Sequence, residues 1–125
     1  MIKKITLGIL LLCVAISCYQ PQRDCKAFKT GEFTFNYKIN GETKTGTFIR
    51  DANYSIDYYD NKIDSASIRW VNDCEFVLKD IHSNTAIHYK ILSTTNDSYT
   101  FEYKSAVKDE NKKLIVKTGT ATKTK

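Results

Sequence analysis

Few residues in this 125-residue chain have the types and spacing to do chemistry. The candidates are four cysteines, the pair His82 and His88, the arginine at position 50, and three aspartates close together, Asp57, Asp60 and Asp64. Neither histidine has tetrahedral-site spacing to a cysteine, so no metal site is expected from them. Asp60 belongs to an Asp-Asn turn dipeptide, and Asp57 and Asp64 read as solvated. No glycine-containing loop arranges these oxygens around calcium. The serines lack a Gly-x-Ser-x-Gly elbow, no His-Glu-x-x-His occurs, and no glycine-rich loop is built to cradle phosphate. The expectation is a non-enzymatic protein with no catalytic residue, no metal and no cofactor.

The cysteines sort by position. Lys3 and Lys4 precede an apolar run from Ile5 to Ile16, shorter than the ~20 residues that a membrane-spanning helix requires. The run ends in Ala15-Ile16-Ser17-Cys18, which resembles a bacterial lipobox. That resemblance implies cleavage before Cys18, a diacylglycerol on its thiol and an acyl chain on its new amine. Cys13 is then discarded with the leader. The expected organisation is a leader over residues 1–17, a lipidated cysteine and polar tether over 18–30, and one β domain over 31–125. Several acyl chains hold a protein stably at a membrane where a single chain does so marginally. Tyr19-Gln20 follows Cys18 with no aspartate next to it, which by analogy with other lipoproteins places the chain in the cell envelope at the outer membrane, on its periplasmic face or the cell surface.

Cys25 and Cys74 remain as an even pair in an exported chain, and a disulfide is the expected state. Closing that loop of about 50 residues contributes roughly 4 kcal/mol in the chain-entropy account. The net charge of +5 includes two leader lysines. The C-terminal lysines, from Lys112-Lys113 to Lys123 and Lys125, are sparse and carry no stacking aromatics, so nucleic acid is not an expected partner.

From Gly31 onward the chain has a period of two. Phe33, Phe35, Tyr37 and Ile39 fall on one face. Asn40-Gly41 then predicts a two-residue type I′ turn. That turn sets Ile39 against Glu42, Tyr37 against Lys44, Phe35 against Gly46 and Phe33 against Phe48. Further strands are expected over Tyr54–Tyr59, Ile63–Trp70, Cys74–Ile81, Ala86–Thr94, Tyr99–Val107 and Leu114–Thr122, separated by Asn/Asp/Ser clusters. A three-residue loop at Val71-Asn72-Asp73 would pair Trp70 with Cys74, Ile68 with Phe76 and Ala66 with Leu78, all facing inward. About eight antiparallel strands with short connections predict an up-and-down meander closing into a small barrel or half-barrel, with a β-sandwich as second choice.

Within such a barrel, Tyr54, Tyr58, Tyr59, Tyr89, Tyr99 and Tyr103 either line a pocket or fill it. Arg50 shares the inward parity of Phe48 and Gly46, and an inward arginine calls for a carboxylate partner or an anionic ligand. Trp70 is expected against the disulfide. The candidate ligand-binding residues are therefore Arg50, Tyr54, Trp70 and Tyr89.

Cys18, Cys25-x-x-Phe28-Lys29-Thr30-Gly31-x-Phe33, Arg50, Ile68-x-Trp70-x-x-x-Cys74-x-Phe76-x-Leu78 and Asp97-Ser98-Tyr99-x-Phe101 together resemble a family of small lipoproteins of Bacteroidota-type bacteria. That resemblance implies an exported β domain without assigned activity. Some members carry the name DNA topoisomerase IV, which the leader, the chain length and the lack of a nucleotide-binding segment argue against. The Trp–Cys segment is also similar to lipocalin-like lipoproteins, although their Gly-x-Trp at the first strand is missing. Two functions follow as expectations. The first is a lipid-anchored protein binding a macromolecular or envelope partner. The alternative is a lipocalin-like carrier of a small amphipathic ligand.

Overall fold

The computed structural model describes residues 23–107 and 110–125. The leader, Cys18 and the first part of the tether lie outside the described residues. A 3₁₀ turn at Cys25–Phe28 leads into β1 (Gly31–Ile39), β2 (Glu42–Arg50), β3 (Tyr54–Tyr59) and β4 (Lys62–Asn72). β5 (Glu75–Asp80), β6 (Ala86–Thr94), β7 (Ser98–Ser105) and β8 (Lys117–Lys123) follow. Each strand pairs antiparallel with the next, and β8 returns to β1 through Phe33–Lys123, Thr34–Thr122 and Phe35–Ala121. The result is a closed eight-stranded meander barrel, the architecture expected from the alternation, and closure leaves no sheet edge to pair with another chain.

The first hairpin has the predicted register at every position from Ile39–Glu42 to Phe33–Phe48. Asn40 and Gly41 adopt φ of 53° and 80°, the left-handed values a type I′ turn demands. Phe35 lies flat over Gly46, where an added Cβ would sit 2.4 Å from the ring. Phe101 covers Gly119 on β8, the strand on the other side of β1, in the same way, with 2.8 Å to the ring. A second type I′ turn, Asp60-Asn61, joins β3 to β4.

The β4–β5 connection differs from expectation. Trp70 faces Phe76, Ile68 faces Leu78 and Ala66 faces Asp80, a shift of two residues. A bulge between Trp70 and Asn72 absorbs one residue, and Asp73-Cys74 forms a two-residue turn between Asn72 and Glu75. Bulge and turn together keep the parity, so Ile68, Trp70, Phe76 and Leu78 stay on the inner face as predicted. The last strand starts at Lys117 rather than Leu114. Leu114, Ile115 and Val116 are more than half exposed, because β7 offers partners only from Tyr103–Lys117 onward.

One end of the barrel is solidly filled. Phe28, Phe33, Phe76, Ile91 and Ala121 are at most 1% exposed, with Tyr99 and Cys25 at 3%. Cys25 is bonded to Cys74 at a Cα separation of 5.2 Å, the expected disulfide. It fastens the 3₁₀ turn over the barrel mouth and drives Phe28 into the core, its ring 5.3 Å from Tyr99. The folded body therefore begins before Gly31: Asp24 N–H donates to Thr94 Oγ1 at 2.8 Å, and Lys123 Nζ donates to Ala27 O at 2.8 Å. That portion of the expected tether is part of the domain.

Candidate functional site: the barrel interior

Above this filled end the interior is open. A cavity of about 470 Å³ runs from Arg50 towards the opposite rim, where Tyr37, Tyr59, Asp80, Thr85 and Tyr103 stand. Phe35, Phe48, Phe76, Tyr89 and Phe101 supply its ring-bearing walls. Phe76 and Tyr89 stack at 5.0 Å and Tyr89 and Tyr103 at 5.5 Å, a continuous aromatic surface from floor to rim. Burial raises the Tyr89 phenol above its ordinary range.

Arg50 forms the floor and is 3% exposed. The expected carboxylate ion pair is not what holds it: among the described residues no acidic group lies within ion-pair distance. Its guanidinium instead donates through Nη2 to Phe28 O and through Nη1 to Tyr99 Oη at 3.1 Å. The rings of Phe33, Phe48, Trp70, Phe76 and Tyr99 surround it at 4.8–5.7 Å. Cation–π attraction strengthens where water is excluded, so the ring box takes over part of the role of a counter-ion. The Nε of Arg50 has no hydrogen-bond partner among the described residues.

Asp57 corrects the solvated reading, whereas Asp64 stands exposed at the cavity rim, as expected. Arg50 pairs with Ser55 and Phe48 with Asp57 across β2–β3, so the inward parity of Arg50 passes to both β3 residues. Asp57 in turn faces Asp64 across β3–β4, and both line the cavity. Asp57 accepts from Ser55 Oγ at a long 3.4 Å. Desolvation, with the Asp64 charge adding to it, pushes the Asp57 carboxyl up to about 6 despite Ser55 and Arg50. Asp64 accepts from Tyr59 Oη at 2.5 Å, and that bond raises the Tyr59 phenol to about 12. Asp60 sits in the turn, as expected, its N–H donating to Tyr37 Oη at 2.9 Å. Among the described residues no three His, Cys, Asp or Glu side chains gather to hold a metal.

The four candidate ligand residues thus separate. Arg50 and Tyr89 line the cavity. Trp70 packs at the closed end, against Phe76 at 4.7 Å with Lys29 Nζ 5.0 Å from its ring, beneath the cavity. Tyr54 is 50% exposed on the outer surface, because parity inherited from Arg50 turns Tyr54 and Tyr58 outward and Ser55, Asp57 and Tyr59 inward. The sequence reading missed Asp57 as an interior group. A usable signal lay in Asp51, whose carboxylate caps the N–H groups of Asn53 and Tyr54 at 2.8 and 2.7 Å and fixes the β2–β3 link.

These features define a small closed meander barrel with one plugged end and an aromatic, carboxylate-bearing cavity. No protein-family model, curated protein or solved structure matches the chain.

Proposed function

We propose that this protein binds a small amphipathic molecule inside its barrel and is held at the cell envelope by lipidated Cys18. The observation that supports this reading is the aromatic-lined cavity of about 470 Å³, within the roughly 300–1,000 Å³ typical of small-molecule sites. A barrel built only for stability would fill this space, because close packing contributes stability that an open interior forgoes. The reading reverses the order of the two sequence expectations and places carriage of a ligand ahead of a macromolecular partner. It involves no enzymatic step, cofactor, metal or nucleic acid. The acyl chains on Cys18 keep the barrel at the membrane, at the outer-membrane location the Cys18 context suggests. Native mass spectrometry of the full chain, extracted from cells that make it, tests the reading. A discrete small-molecule adduct released on activation is expected, and only the ligand-free mass would count against it.

A macromolecular partner is favoured by a separate feature. Ile49 pairs with Ile56, and Tyr58 with Ile63, on the outer face of β2–β4. Ile49, Tyr58 and Ile63 are 38%, 40% and 68% exposed. Crosslinking from position 63 in intact cells distinguishes this face: a single recurrent protein adduct supports it, and none removes it.

A further inference from the structure

Resting on the reading of the barrel as a small-molecule binder, we infer that its ligand is an amine. Its protonated nitrogen is held by Asp57 and Asp64, and its apolar body lies against the rings.

Two observations converge on this chemistry. First, Arg50 and Asp57 are diagonal neighbours on β2 and β3, a spacing that long side chains normally bridge. They do not bridge here, because Phe28 O and Tyr99 Oη draw the guanidinium down into the closed end. Asp57 is left with one long bond from Ser55 and a second carboxylate opposite it. Like charges facing each other across a ladder are unfavourable until a cation sits between them. Second, three carboxylates line the cavity, those of Asp57, Asp64 and Asp80, against the single cation of Arg50. An anionic ligand would meet that excess, whereas an ammonium ion offsets it and gains from the ring faces as Arg50 itself does. The volume of about 470 Å³ equals that of roughly 15 water molecules, which suits an arylalkylamine rather than a long-chain lipid.

The test is calorimetric titration of the full chain in detergent micelles at pH 7.5, with the same titrations into empty micelles as reference. The probes are phenylalaninamide, phenethylamine, 3-phenylpropanol and 3-phenylpropanoate. Phenylalaninamide and phenethylamine should both bind, and 3-phenylpropanoate at least about tenfold more weakly than either. Asp57→Asn should weaken phenylalaninamide at least about tenfold and leave 3-phenylpropanol within about twofold, since the alcohol carries no charge to lose. The wild-type ranking decides the matter even if that variant fails to fold. If 3-phenylpropanoate equals or exceeds the amines, the amine assignment falls and the cavity reading stands. If none of the four binds, the alcohol included, both fall.

Discussion

The two ends of this barrel use the same residue types for opposite purposes. At the closed end, Phe28, Phe33, Phe76 and Tyr99 pack to near-zero exposure around an arginine and are fastened by a disulfide. In the open half, Phe35, Tyr37, Tyr89, Phe101 and Tyr103 stand around empty space and two facing carboxylates. Aromatic rings are core where other rings cover them and walls where nothing does. Sequence alternation places a ring on the inner face but does not say which layer of the barrel it occupies. In this protein the 3₁₀ turn decides the layer, because Phe28 plugs one mouth and has no counterpart at the other among the described residues.

The largest test of that contrast is one substitution made in both regions. Phe33→Ala leaves a void in a packed layer and should cost about 3–5 kcal/mol. Tyr103→Ala enlarges space that is already open and should cost about 1 kcal/mol, because little packing is lost. Urea unfolding followed by the fluorescence of Trp70, the single tryptophan, measures both. Equal costs would mean that the two halves are packed alike.

Next in size is the clasp. Cys25→Ser with Cys74→Ser releases the loop and should cost about 2–4 kcal/mol. Probe affinity in the cavity should change little, because neither cysteine is among the lining residues. A large loss of binding in a variant that remains folded would show that the closed end shapes the cavity.

The smallest expected effect has the opposite sign. Asp57 holds its proton more tightly when folded, at about 6 against the ordinary 3.8. Its contribution favours the fold fully below about pH 4 and is lost as pH rises through 6. Asp57→Asn should therefore stabilise the ligand-free protein at pH 8, by on the order of 2 kcal/mol, with the gain shrinking towards pH 4. Unfolding curves at the two pH values check it. Destabilisation at pH 8 would mean that Asp57 is already well partnered in the empty barrel.

The legibility of the sequence followed the same division. The β1–β2 register was readable to the residue, because an Asn-Gly turn and strict alternation agree. The inward set of Ile68, Trp70, Phe76 and Leu78 was readable too, although their partners were not, because a bulge plus a two-residue turn preserves parity just as a three-residue loop does. The strand Tyr54-Ser55-Ile56-Asp57-Tyr58-Tyr59 was opaque. Both of its faces mix polar and apolar residues, so hydrophobicity alone does not choose between them. Parity comes instead from the Asp51-capped link to Arg50. The sequence therefore offers Tyr54 as an interior candidate and Asp57, which faces the cavity, as a solvated residue.

The account is tested most directly by finding where a small amine goes. Phenylalaninamide titrated into the ¹⁵N-labelled full chain in micelles should shift the amide resonances of Asp57, Asp64, Tyr89 and Tyr103. Those of Phe28 and Phe33 at the plug, and of Tyr54 and Ile63 on the outer face, should stay in place. Shifts confined to the outer face or the plug, with the cavity residues unmoved, would contradict the claim that the open half of the barrel is the binding site.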